Sequence, residues 1–281
     1  MKIDSLTKVV KVMNFHALLN VDNAKAKADE LMGVEAELTK LIRRIMYNKN
    51  IILDKNVMLP NPHNPKLSIY IASDLGFCGN FNSVINDQIR KDVDCYKIII
   101  GKQIKYKDDL TLLIMEKKDF YSDFSKLNNI IGDAILNLTY SEINVYYNHY
   151  YNSTTFDFVK AQVFPIEFAG KYYEGEDFVI ETNIKKMISN MLSFYICYEL
   201  KMYEKNCFAA ENIKRSIITK LSLDKLKEEE EKQKAEDLRK RKELTILKTV
   251  ENYKKTVYNE ESRWYNAKEE SIKKFIQWDI W

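Results

Sequence analysis

The stretch Ser73-Asp-Leu-Gly-Phe-Cys-Gly-Asn-Phe-Asn82 places a cysteine, an aspartate and two glycines within ten residues. It follows an apolar run, Leu67–Ala72, that reads as a buried strand, and precedes a helical pattern from Ser83 to about Val93. A strand-to-helix elbow can present a nucleophile, so Cys78 is a candidate thiolate, with His63 or His149 as its base. A dinucleotide site needs G-x-G-x-x-G at such a turn; Gly76 and Gly79 supply only G-x-x-G. A phosphate loop ends in Gly-Lys-Ser or Gly-Lys-Thr, which is absent here. The plainer reading is that the glycines permit positive φ and that Cys78 packs as a small apolar group. The other cysteines, Cys95, Cys197 and Cys207, add neither metal-ligand nor disulfide spacing, and all four are expected to be reduced.

The elements that position this loop are marked out by the punctuation. All four prolines and six of the seven glycines lie between residues 60 and 175. The chain therefore divides into a helical start (1–59), a punctuated middle (60–175) and a helical end (176–281). The end runs 106 residues without a glycine or proline, and Ile184, Ile188, Met191, Tyr195, Tyr198 and Met202 step by four and three. That is the seam of a helix lying on another helix. The first helix is expected from Ser5 to about Asn48, capped by Ser5 or Thr7, with Leu31, Val34, Leu38, Leu41 and Ile45 as its seam. In the middle, Leu67–Ala72, Tyr96–Ile100, Glu142–Tyr151 and Thr155–Val163 read as strands, the last two as a hairpin. Helices are expected over Ser83–Val93 and Asp123–Leu138. The fold class is α/β: a long antiparallel coiled coil of the terminal helices plus a small central Rossmann-like α/β domain.

Composition limits the function. With 44 basic and 41 acidic residues the net charge is +3, too balanced for a nucleic-acid binder. No apolar run approaches the ~20 residues of a membrane span, so a soluble intracellular protein is expected. Asp224–Glu243 holds sixteen charged residues, eight of each sign, with Glu228/Lys232, Glu230/Lys234, Glu236/Lys240 and Asp237/Arg241 spaced as helical pairs. A solvated helix is expected there. Beyond it Val257, Trp264, Tyr265, Ile272, Phe275, Ile276, Trp278, Ile280 and Trp281 form an aromatic-rich end that suits an interface.

The loop resembles the signature S-D-R-G-L-C-G-x-F-N of the gamma subunit of rotary F-type ATP synthases. Ser73, Asp74, Gly76, Cys78, Gly79, Phe81 and Asn82 match it, while Leu75 stands where the family usually has a basic residue. Lys8, Lys11 and Met13 match the family's K-I-T-K-A-M, although Asn14, Phe15 and His16 replace the Lys/Glu-Met-Val that the family has after it. Val145-Tyr-Tyr-Asn-His-Tyr150 resembles its V-x-Y-N-x-F strand, Phe164-Pro165 its Leu-Pro, and Ala209, Glu211 and Arg215 its A-S-E-x-x-x-R.

The resemblance implies a diverged rotor shaft with no catalytic residue, metal or cofactor of its own. ATP, ADP and magnesium would sit on a hexameric ring of alpha and beta subunits. An epsilon-like subunit and a membrane ring or other machinery are further implied partners, at the cytoplasmic face of a bacterial membrane. Rotor–stator contacts are expected from Lys8, Lys11, Met13, Glu211 and Arg215, and residues 244–281 are expected inside the ring's collar. The competing readings are a coiled-coil scaffold with an α/β binding domain and no motor role, and a cysteine hydrolase using Cys78.

Overall fold

The computed structural model describes residues 3–46, 60–104, 106–122, 124–166 and 183–278, with side chains for these except Ile3, Met46 and 274–278. In chain order the elements are α1 (Ile3–Met46), β1 (Lys66–Ile71), α2 (Ser83–Lys91), β2 (Cys95–Ile100), β3 (Thr111–Met115), α3 (Lys117–Ser122), α4 (Ser125–Leu136), β4 (Glu142–Tyr150), β5 (Phe156–Phe164) and α5 (Ile184–Trp278). Helix α1 is already formed at Ile3, so Ser5 and Thr7 lie inside it rather than capping it. By packing, Asp4–Ser222 forms one compact unit, and α5 from Leu223 onward belongs to a second.

In the first unit the strands form one sheet in the order β3-β2-β1-β4-β5. Strands β1 to β4 pair in parallel and β5 pairs antiparallel to β4, as the expected hairpin. Strand β3 and helix α3 were not expected from sequence. Thr111–Met115 is short, and β3 is an edge strand with Leu112 and Ile114 on its exposed side, so its apolar pattern is brief.

Side-chain alternation divides the core between the two sheet faces. Leu67, Ile69, Ile71, Ile98, Ile100, Ile143, Val145 and Tyr147 face a layer built from α3, α4, α5 and the end of α1. Tyr70, Ala72, Ile99 and Tyr146 face α2 through Ile85 and Ile89. Ile188, Leu192, Ile196 and Leu200 of α5 step by fours and are the residues that close the first layer. Of the sequence seam on α5, Ile188 belongs to this stripe, and Ile184, Met191 and Tyr195 pack against the same core, half-buried.

Helices α1 and α5 run antiparallel. The Asn14 Nδ2 donates to the Ser216 carbonyl at 2.9 Å and to the Thr219 hydroxyl at 2.8 Å. Six residues on, Asn20 Nδ2 donates to Asn212 Oδ1 at 3.3 Å, lower in the numbering of α5. The inward positions of α1 are Val10, Asn14, Ala17, Val21, Ala24, Ala28, Leu31, Glu35, Leu38, Ile42 and Ile45, an unbroken alternation of fours and threes. The predicted seam shares Leu31, Leu38 and Ile45 with it. Val34 and Leu41 are exposed, and their places belong to Glu35 and Ile42. Alanines and polar residues hold five of these eleven positions, and a search for large apolar residues passes over them.

In the second unit α5 is helical through the charged stretch, whose residues are almost all exposed. Glu230–Lys234 forms the expected pair at 2.7 Å, whereas Lys232 reaches Glu229 rather than Glu228. Leu244, Ile246, Leu247, Val250, Tyr253, Tyr258, Trp264, Tyr265 and Ile272 are exposed. The expectations for Phe275, Ile276, Trp278, Ile280 and Trp281 fall outside the described side chains.

The two candidate seams on α1 make different demands. Ile42→Ala is expected to destabilise the chain by ~2–5 kcal/mol through a cavity under the sheet. Val34→Ser is expected to stay within about 0.5 kcal/mol. Urea unfolding of the two variants checks both values; equal losses would restore the seam read from sequence.

Candidate functional site

The signature loop leaves the carboxyl end of β1 and is fastened at both of its ends. Asn82 Nδ2 donates to Ser73 Oγ at 2.7 Å, and the Ser73 backbone N–H donates to Asn82 Oδ1 at 3.2 Å. The Asp74 carboxylate accepts the backbone N–H groups of Lys102 and Lys117, each at 2.9 Å. Those residues follow β2 and β3, so one aspartate gathers the carboxyl ends of three parallel strands. Phe81 is buried, and its carbonyl accepts from Asn148 Nδ2 of β4 at 3.1 Å.

Of the loop glycines, Gly79 takes the positive φ expected, +55°; a Cβ there would meet Ile218 Cδ1 of α5 at 2.8 Å. The other positive φ in the loop falls on Phe77, at 61°, and not on Gly76. A bulky residue in that conformation is strained and needs surrounding structure to hold it. Phe77 and Leu75 point outward, 70% and 61% exposed.

What holds the loop comes from α5 and α3. Glu211 and Arg215 are 1% and 6% exposed, so they face the interior of this chain. Named above for rotor–stator contact, both close upon the loop within this chain. Arg215 pairs with Glu211 Oε1 at 2.6 Å, donates to Asn212 Oδ1 at 2.7 Å, and reaches the Gly76 carbonyl at 3.4 Å and Cys78 Sγ at 3.2 Å. The other Glu211 oxygen pairs with the Lys117 ammonium at 2.9 Å. Lys117 also meets Glu204 at 3.5 Å, and Glu204 accepts the Tyr121 hydroxyl. Burial alone would lower the Lys117 pKa; the charges of Glu211 and Glu204 outweigh it and hold the group protonated. Through Asn212 and Asn20 the same network continues to α1.

Lys117 and Glu204 were not singled out in the sequence. Lys117 sits among Glu116, Lys118 and Asp119, where it reads as surface charge. Only the topology turns it toward α5. Lys8 and Lys11 lie on the exposed side of α1, Lys8 in a surface pair with Asp4 at 3.0 Å, and Met13 is half-buried.

This arrangement supports no thiolate chemistry. Burial pushes the Cys78 thiol up to about 11, and Arg215 only partly opposes it. The thiol donates to the carbonyls of Gly76 and Leu75. His149 interacts with the Tyr147 hydroxyl at 3.2 Å, and His63 lies on an exposed turn. The hydrolase reading therefore has no base paired with its nucleophile among the described contacts. The site is a latch that sets the loop on the shaft.

Lys117→Met should destabilise the chain by ~3–5 kcal/mol, because two buried carboxylates lose their shared cation. Adding Glu204→Gln and Glu211→Gln should recover part of that loss. Chemical denaturation of the single and triple variants reads both effects, and a Lys117→Met chain as stable as wild type would dismiss the latch.

The comparisons with known proteins agree with this architecture. The ATP synthase family model matches residues 1–243. The chain is 23% identical over 212 residues to the ATP synthase gamma chain of Mycoplasma mycoides, covering 70% of this chain and 73% of that one. It is 28% identical over 158 residues to the gamma chain of Rickettsia typhi, covering 48% and 52%. In structure it resembles a chain of the central stalk and c-ring of the Tetrahymena thermophila mitochondrial ATP synthase, with TM-score 0.53 and 13% identity over 76% of this chain and 99% of that chain. A chain whose paired helices, α/β domain and signature loop are those of this family belongs to the ATP synthase gamma-subunit family, the central-stalk subunit of rotary ATPases.

Proposed function

We propose that this chain turns as the rotor of an F-type-like ATPase and couples its angle to nucleotide turnover in a surrounding ring of alpha and beta subunits. The observation that carries the reading is the antiparallel α1–α5 pair fastened to the α/β domain by the Glu211–Lys117–Arg215 latch. A shaft must carry load between its helices and the domain at its side. Here both helices and the signature loop share one buried network. Nucleotide and magnesium belong on the ring subunits, and the chain works through differential contacts with them at each angle.

Lys8, Lys11 and Met13 are the proposed direct contacts with the ring, supported by the exposed lysines of α1. Glu211 and Arg215 act at one remove, by fixing the loop that carries Leu75 and Phe77. Residues 244–281 are proposed to enter the ring's collar, supported by the exposed apolar side chains from Leu244 to Ile272. An epsilon-like subunit and a membrane ring or other machinery complete the complex, at the cytoplasmic face of a bacterial membrane. No described helix is long and apolar enough to cross a membrane, so attachment would run through those partners. The departure of Leu75 from the family's basic residue supports a specialised paralogue.

Native mass spectrometry of the complex purified through a tag on this chain tests the reading. One copy with three each of two larger nucleotide-binding chains is expected. A homo-oligomer without such partners would favour the coiled-coil scaffold instead. In the assembled complex, removing residues 272–281 should weaken ATPase coupling or assembly. Replacing Lys8 and Lys11 together by alanine should make assembly more sensitive to salt than in wild type. Unchanged turnover and salt response in both variants would remove these contacts from the proposal.

A further inference from the structure

Among the described residues, a buried carboxylate next to the seam has one bare oxygen. Glu199 of α5 is 6% exposed, and its Oε2 has no hydrogen-bond partner. The hydroxyls of Tyr203 and Tyr195 lie beside the carboxylate and favour its charged form. Glu199 lines a pocket of about 220 Å³ with Tyr195, Tyr203, Gln162, Val163 and Pro165, between the end of β5 and α5. Tyr147 stacks on Tyr203 with centroids 4.6 Å apart, so aromatic surface backs the site. From α1, Glu35 adds a second negative charge across the seam; it accepts the Thr39 hydroxyl at 2.7 Å.

Two acids and three tyrosines, with no cation among the described residues acting on Glu199, make an uncompensated site. Burial raises the Glu199 pKa and Glu35 raises it further, the two tyrosine hydroxyls pulling the other way. A buried carboxylate oxygen left bare is costly, and a charged donor removes that cost. Aromatic faces favour cations. The volume holds several waters' worth of space at ~30 Å³ each, enough for a planar or tetrahedral nitrogen cation on an alkyl stem. A metal would ask for more ligands: among the described residues no group of three His, Cys, Asp or Glu side chains could hold one.

We propose that the Glu199 pocket receives one organic cation, an ammonium or guanidinium group, which binds Oε2 and packs its stem on Tyr195 and Tyr203. The group comes either from a basic side chain of a partner subunit or from a free polyamine.

The test is a titration of the full-length chain with ethylguanidinium, with the Glu199 carboxyl carbon followed by isotope-edited NMR. A saturable shift, weakened at least ~10-fold by Glu199→Gln, is expected from the loss of a charge-assisted bond. No saturable shift in wild type, or equal binding by Glu199→Gln, overturns the proposal. Where Glu199→Gln does not fold, Gln162→Lys places an ammonium of the chain's own at the pocket and should abolish probe binding; undiminished binding overturns it. In the purified complex, a photo-cross-linker at Gln162 that captures a Lys- or Arg-bearing peptide identifies a partner's side chain. Release of a polyamine on denaturation without a cross-link identifies the free cation. Neither result leaves the pocket unoccupied in the complex and rejects the assignment there.

Discussion

The buried ammonium of Lys117 is the constraint on which the arrangement of the first unit turns. Without it, Glu204 and Glu211 would be like charges about two helical turns apart on α5, both out of water. With it, Glu211 is free to commit its second oxygen to Arg215, and Arg215 in turn holds the Gly76 carbonyl and the Cys78 sulfur. The strained backbone at Phe77 persists because its neighbours on both sides are fixed: Asp74 through two backbone N–H groups, and Gly76 and Cys78 through Arg215 of α5. A surface ion pair could not do this, since screening and side-chain entropy leave it near zero net value.

The α/β domain and the helices on either side were legible because their signals are local. Glycine and proline bound the strands, and breaker-free stretches mark the helices. The hairpin, the parallel strand that precedes the loop and the solvated charged helix came from the same signals. The edge strand β3 was missed because its run is short, and the α1 cap because the helix is already formed at Ile3. The seam of α1 was misplaced for a physical reason. Where helices approach closely the inward residues are small, and Ala17, Ala24 and Ala28 carry little hydrophobic signal despite being 1–8% exposed.

The site was half legible. Resemblance singled out the loop as a signature and, separately, Glu211 and Arg215 as ring contacts; it is the structure that brings the two together. Resemblance gave no indication that the two charges face inward. A glutamate and an arginine four residues apart on a helix read as an exposed pair. Only the strand order, which carries Lys117 over to α5, shows what they close upon. Glu199 illustrates the same limit. Its neighbours in sequence are mostly apolar or aromatic, yet its second acid, Glu35, arrives from the far end of the chain.

The asparagine rungs between α1 and α5 bear on what happens when the pair is loaded along its length. A purely apolar seam repeats every seven residues, so one helix can slide a heptad along the other and still find hydrophobic neighbours. Asn14 and Asn20 remove that freedom. Their amides are matched to Ser216, Thr219 and Asn212, and a slip of one repeat would break those matches. Each lost partner costs about 1–3 kcal/mol for a group kept from water. The pair therefore behaves as a toothed rack rather than two greased rods: force applied to one helix passes to the other without being dissipated as creep.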